Sequence, residues 1–171
     1  MKHPLELISA DEINIAVDLC RSHAGFDENA LFMNISLVEP EKEFVRNYKQ
    51  GDDCPRNLKI RGIDSNEDGG FVAIIDLKSN EVNSLNRVSE KAQVTYSLAE
   101  VFMATELTKA DERYQEALKK RGITDLDMVQ IDPWPAGGVI HESIKPGHRA
   151  LKTISFLREN QTDNAYAKPI T

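Results

Sequence analysis

Groups able to do chemistry are sparse in this chain, and their spacing argues against most reactions. Four histidines, His3, His23, His141 and His148, are the imidazole donors. A metal centre built on imidazole needs several rings converging on one point, and two rings reach the same face of a strand when they stand as His-x-His. No pair here has that spacing. His141 and His148 lie near enough in sequence to meet across a hairpin, but without a third ligand they read as exposed loop residues. Asp64-x-Asn66-x-Asp68-Gly69 copies the opening of a calcium loop, in which oxygen ligands alternate and glycine permits the sharp turn. The position that should hold a bidentate glutamate is Ile75, and the flanks read as strands, so the segment is expected to be a hairpin turn. No glycine-rich phosphate loop and no nucleophile elbow occurs. The paired acids Asp11-Glu12, Asp52-Asp53 and Glu67-Asp68 most simply cap helices or solvate loops. The residues therefore assign no catalytic, cofactor-binding or metal-binding side chain, and the chain by itself is read as a non-enzyme.

The elements that would position any such groups form two lobes. Ser9 and Glu12 make a capping box, which opens a helix running to about Ala24 with Ile13, Ala16, Val17, Cys20 and Ala24 on one face. Leu31, Met33, Ile35 and Leu37 alternate with smaller or polar residues, the pattern of a strand with one buried side. Glu41 to Gln50 predicts a short helix closed by Gly51. Leu58 to Ile63, Phe71 to Leu77 and Val82 to Val88 then predict an antiparallel meander turning at Asp68-Gly69-Gly70 and Ser79-Asn80. A sheet with one apolar face needs a cover, and the first helix supplies it.

The same layout restarts at Ser97 and Glu100, a second capping box, with Leu98, Val101, Phe102 and Thr105 as the inward stripe. Asp111 to Arg121 predicts another helix, carrying Tyr114, Ala117 and Leu118 inward and ending at Gly122. Met128 to Ile131 predicts a short strand stopped by Asp132-Pro133, and Arg149 to Leu157 a strand whose buried face the pattern leaves open. Residues 89–96 read as the joint, giving lobes 1–90 and 91–171. The fold class is α+β.

Composition narrows the setting. With 171 residues, 40% hydrophobic and 29% charged, the chain can form one domain or two small ones. Its 28 acidic and 21 basic side chains leave a formal net charge of -7, which disfavours nucleic acid as a partner. The residues after Met1 lack the apolar run of about 7–15 residues of a signal peptide, and nothing approaches the roughly 20 apolar residues of a membrane span. Cys20 falls on a helix stripe and Cys54 beside Pro55 in a polar loop, so two free thiols in the cytoplasm are expected.

Four segments stand in order in the second lobe: Asp111-Glu112-Arg113-Tyr114-Gln115-Glu116-Ala117-Leu118, Lys120-Arg121-Gly122-Ile123, Asp132-Pro133-Trp134-Pro135-Ala136-Gly137 and Asp163-Asn164-Ala165-Tyr166-Ala167-Lys168-Pro169-Ile170. Weaker matches precede them, in His3-Pro4-Leu5, Ser9-Ala10-Asp11-Glu12-Ile13 and Val72 to Leu77. Together they resemble the second and third amino-terminal domains of copper-containing primary amine oxidases, over nearly the whole chain.

That resemblance implies two cystatin-like units, each with a helix packed on a four-stranded antiparallel sheet. It implies a parent enzyme that oxidises primary amines to aldehydes with copper and a tyrosine-derived topaquinone, both held in a larger catalytic domain that follows. The quinone tyrosine lies there in Asn-Tyr-Asp/Glu, whereas Asn47-Tyr48 is followed by Lys49, so Tyr48 reads as a half-buried helix residue. The implied role is a non-catalytic accessory region whose partner is the catalytic domain, with no cofactor of its own. Trp134, Pro133 and Tyr166 are the candidate interdomain or channel-rim residues, and a core position is the other reading of Trp134. Tyr166 to Ile170 resembles the connector to the catalytic domain and is expected to be loosely held. A stand-alone binding module that lacks the oxidase domain is the alternative function, and the oligomeric state stays open.

Overall fold

A computed structural model of the chain describes residues 3–64, 70–88, 94–137, 142–144 and 148–170. The chain divides into two compact units, Met1–Thr95 and Tyr96–Thr171, each with its own helix-on-sheet arrangement. The architecture is α+β.

The first unit opens with helix α1, Ala10–Ser22. Its capping box is complete: Glu12 donates its backbone N–H to Ser9 Oγ at 3.3 Å, and the Glu12 carboxylate accepts from the Ser9 backbone at 2.8 Å. Strand β1 (Leu31–Val38), the short helix α2 (Lys42–Asn47) and strands β2 (Asn57–Ile63), β3 (Gly70–Asp76) and β4 (Glu81–Arg87) follow. The four strands pair antiparallel in sequence order. The turn into β4 places Asn80 at φ +56°, a left-handed conformation asparagine tolerates.

Alternation places Leu58, Ile60, Phe71, Ala73 and Ile75 on one face, where they pack with Ala16 and Cys20 of α1. Phe71 is the hub of an aromatic cluster, with Phe26 at 4.9 Å and Phe32 at 6.1 Å between ring centroids. The ring lies so close over β2 that only glycine fits beneath it at position 62. One expectation fails on β1. A bulge between Phe32 and Asn34 shifts the register, so Phe32 joins Ile35 and Leu37 on the core while Leu31 is 52% exposed. An extra residue in a strand reverses the alternation on one side of it. The helix also ends at Ser22, leaving Ala24 exposed.

The second unit repeats the opening. Helix α3, Leu98–Ala110, begins at the Ser97/Glu100 capping box. Asp111 ends α3 and caps α4 (Glu112–Lys120), accepting from the backbones of Arg113 and Tyr114. At the far end Gly122 takes φ +77°, which lets Ile123 N–H return to Leu118 O at 3.0 Å. A 3-10 turn (Leu126–Met128) leads into β5 (Val129–Pro135), which pairs antiparallel with β6 (Leu151–Leu157).

Two expectations change here. The strand predicted to stop at Asp132-Pro133 runs on through Pro135. Ala136 N–H bonds to Ala150 O, and the alternation of an antiparallel ladder then turns the nitrogens of Pro133 and Pro135 away from β6, so no ladder bond is lost. Where four strands are expected, the sheet comprises β5 and β6 among the described residues, with residues 138–141 and 145–147 lying outside them. The free edge of β6 is taken by the carboxy-terminal segment, expected to be loose. Leu157 N–H donates to Lys168 O and Ile170 N–H to Ser155 O, both at 2.8 Å, and Ile170 packs on the core. That core is small: Leu118, Val129 and Ile131 are its buried members, against nine in the first unit, counted over the described residues.

Candidate functional site

The two histidines of the first unit each bond within their own loop. His3 Nδ1 accepts from Leu5 N–H and its ring meets Tyr48 edge-on at 5.2 Å. His23 Nδ1 accepts from Gly25 N–H, with its ring against Phe26. His148 lies in the second unit, whereas His3 and His23 lie in the first; His141 is outside the described residues, as are residues 65–69 of the calcium-like segment. Asp64, the first residue of that segment, instead bonds Arg87 at 2.7 Å through both carboxylate oxygens. Among the described residues no group of three His, Cys, Asp or Glu side chains is arranged to hold a metal ion. Tyr48 sits half-buried just past the end of α2, with the His3 ring edge-on to it. Three converging imidazoles beside a tyrosine would suit copper and a quinone, and these residues do not fit that set. No chemical step is assigned to them.

What the second unit offers instead is apolar surface, on both sides of its sheet. Side chains alternate across β5 and β6. Val129 and Ile131 point to the helices, as do Thr153, within 3.5 Å of the Thr108 hydroxyl, and Ser155, bonded to the Tyr114 hydroxyl at 2.7 Å. Gln130, Asp132, Trp134, Lys152, Ile154 and Phe156 point to the other side. Trp134 is 53% exposed, so it is not a core residue, and it stands on a strand rather than a loop. Its indole Nε1 donates to Asp132 Oδ2 at 2.8 Å, which holds the ring on the sheet face. Ile154 is 38% exposed on the same face, and Phe156 meets the exposed Tyr166 ring edge-on at 5.1 Å. The three residues singled out in the sequence are thus only partly together. Trp134 belongs to this open face, Tyr166 reaches it through Phe156, and Pro133 is on the opposite parity, toward the helices.

Sequence reasoning missed the second apolar surface. Leu98 and Phe102, assigned to the inward stripe of α3, are 74% and 65% exposed. Val101, Ala104, Thr105 and Thr108 occupy the inward arc, and no residue of α3 is fully buried. The signal was a helix with apolar residues on both sides, Val101 and Ala104 on one and Leu98, Phe102, Met103 and Leu107 on the other.

Electrostatics in both units serve the fold. Arg149 holds the Glu100 carboxyl below its usual range, and Arg113 with two backbone N–H groups holds Asp111 at about 2. Burial pushes the Cys20 thiol up to about 11, which makes it unreactive. Cys20 and Cys54 form no disulfide. None of the helices described is long and apolar enough to cross a membrane.

Residues 3–88 match the family described as "Copper amine oxidase, N2 domain", and residues 99–171 match "Copper amine oxidase, N3 domain". A primary amine oxidase of Arthrobacter sp. (strain P1) is 29% identical over 170 residues, which are 99% of this chain and 26% of that protein. The primary amine oxidase of Klebsiella aerogenes is 30% identical, over 98% of this chain and 22% of the relative. The peroxisomal N-methylputrescine oxidase 1 of Nicotiana tabacum is 27% identical, over 98% and 26%. In fold, the chain superposes with a TM-score of 0.74 on the crystal structure of a copper-containing benzylamine oxidase from Hansenula polymorpha, at 16% identity, covering 99% of this chain and 27% of that one. The chain thus spans about a quarter of the length of these relatives. It belongs to the copper amine oxidase family, of which it carries the N2 and N3 domains.

Proposed function

We propose that this chain is the non-catalytic amino-terminal accessory region of a primary amine oxidase, an enzyme that deaminates primary amines oxidatively with copper and topaquinone held outside residues 1–171. Its part is packing surface against the catalytic domain and, through Trp134 with Pro133 next to it in the chain and the Tyr166 ring, a section of the substrate-channel rim. The observation that carries the reading is one of coverage: 99% of this chain aligns with 26% of a primary amine oxidase. An aromatic side chain fixed by one hydrogen bond and otherwise exposed suits a rim, because it buries much area with little loss of rotamer freedom. Residence in the cytoplasm is part of the same proposal and rests on the two thiols.

The reading frame around these residues tests the proposal. Codons after Thr171 should specify Asn-Tyr-Asp/Glu and His-x-His, and the whole product should form peroxide in the presence of a primary amine. In that product Trp134→Ala should raise KM for a bulky amine several-fold with little change in kcat, the mark of lost binding at a distance from the reacting atoms. Amine-dependent peroxide from residues 1–171 alone would refute the non-catalytic assignment.

A further inference from the structure

The carboxy-terminal segment lies on the edge of β6 in the manner of a bound peptide. Its backbone makes one antiparallel exchange with that edge: Leu157 N–H donates to Lys168 O and Ile170 N–H to Ser155 O, with Pro169 opposite Phe156 between them. The Pro169 nitrogen therefore points away from β6, so its missing N–H costs no bond there and leaves the outer edge a donor short for any further strand. Side chains add three anchors at every second position. The Tyr166 ring meets Phe156 edge-on, the Lys168 ammonium pairs with the Glu159 carboxylate, and Ile170 packs on the core of Leu118, Val129 and Ile131. Main-chain bonds joined to sites for alternate side chains are the working parts of strand addition to a sheet edge. Each anchor is shallow, since Ile170 is partly buried and Tyr166 is 57% exposed.

We infer that the edge of β6 is a groove for an extended peptide carrying aromatic, basic and aliphatic residues at alternate positions, filled in cis by Tyr166 to Ile170 as an exchangeable ligand. The loop between strand and ligand is closed by its own turns. Asp163 Oδ2 accepts from the backbones of Glu159 and Asn160 at 2.8 and 3.0 Å, and Asn164 Oδ1 from that of Tyr166 at 3.0 Å. These bonds need nothing from the groove, so the tail can leave and return on a link that stays folded. A tether this short presents the tail at an effective concentration of about 1 mM. A groove with a dissociation constant of about 0.1 mM for the free peptide is then roughly nine-tenths filled in cis, and a competing peptide binds about tenfold more weakly than to the empty groove.

Amide exchange in the 171-residue chain tests the exchangeability. Leu157 N–H is bonded to the tail, whereas Arg158 N–H donates to Met128 O on the β5 side, and the same alternation turns Phe156 N–H to β5. Leu157 and Ile170 should be protected about tenfold, through local opening of the tail, and Phe156 and Arg158 at least tenfold more. Equal protection at all four makes the tail an integral strand and overturns the inference. Competition tests the groove. A peptide of residues 163–171 is titrated into the unaltered chain and into the 171-residue Ile170→Asp variant, and the amide resonances of Ser155 and Leu157 are followed. Half-saturation should take about tenfold less peptide in the variant, whose own tail no longer competes, and a peptide carrying Ile170→Asp should leave both resonances in place. Equal half-saturation in the two chains, or no movement in the variant, overturns the groove. Loss of the second unit's fold in the variant overturns it equally, because an exchangeable ligand is dispensable to the fold that holds it.

Discussion

Arg149 grips the Glu100 carboxylate with two donors, at 2.7 and 2.9 Å, while one oxygen of that carboxylate also accepts from the Ser97 backbone at the start of α3. The first unit holds the same device. Arg56 reaches Glu12, the capping-box glutamate of α1, at 2.8 and 3.0 Å, and its remaining donors take the carbonyls of Glu6 and Leu7. In each unit an arginine at or near the start of a strand therefore fixes the entry to the covering helix. Arg149 also lies 4.4 Å over the Tyr96 ring, whose hydroxyl bonds both the N–H and the C=O of Ala150.

Removing one half of such a pair strips a cap and leaves a carboxylate or guanidinium partly buried without its partner. Arg149→Ala and Glu100→Gln should each destabilise the second unit by about 1–2 kcal/mol, within the range for caps and charged hydrogen bonds. Urea unfolding of single and double variants checks this. The double variant should cost clearly less than the sum, because both changes delete the same contact.

Acid should act through the same carboxylate. The Arg149 hydrogen bond lowers the Glu100 pKa, with the Ser97 backbone and hydroxyl adding to it against an opposing effect of burial. A carboxyl whose folded pKa lies below its unfolded value stabilises fully above the unfolded value, here 4.5, and loses that contribution as the pH falls through the folded one. Stability measured by urea titration should therefore decline below about pH 4.5 more steeply in the unaltered chain than in Glu100→Gln.

Gly62 makes a different prediction, from packing. A Cβ there would fall 2.3 Å from Leu31 O and 2.5 Å from Phe71 Cζ. The ring is fully buried and the oxygen is backbone, so neither can yield cheaply. Gly62→Ala should cost about 2–3 kcal/mol, the scale of overpacking a core. Thermal unfolding should show it in the first unit while the second-unit transition, if separate, stays in place.

Which features were legible in the sequence follows from how local their causes are. Both capping boxes, the end of α4 at Gly122 and the β2–β4 meander rest on residues within a few positions of each other, and all are present. The inward residues of β1 depend on a bulge against β2, a pairing that alternation alone does not reveal. The inward face of α3 could not be read because the helix is apolar on both sides and period finds no preferred one. Pro133 looked like a strand end, but its nitrogen faces the side of β5 away from β6, which pairs with no other strand among the described residues and tolerates it. The tail was expected to be loose, yet Lys168 to Ile170 closes the edge of β6. At the candidate site the lone tryptophan was conspicuous, while its exposure and its bond to Asp132 belong to tertiary structure.

Because Trp134 is the sole tryptophan, its fluorescence reports on the open face of β5 and β6 alone. A ring half in water and bonded to a carboxylate should emit at long wavelength in the 171-residue chain and be quenched by acrylamide nearly as fully as in the unfolded protein. Trp134→Phe should change stability by less than about 0.5 kcal/mol, as surface substitutions do, since no buried contact is lost. Asp132→Ala removes the bond at Nε1 and should broaden the range of ring orientations, read as faster fluorescence depolarisation with little change in unfolding. In the product of the whole reading frame the emission should move to shorter wavelength and the quenching fall if another domain covers this face. Burial of the ring in the short chain, seen as blue-shifted and poorly quenched emission, would instead return Trp134 to the core and remove the rim from its role.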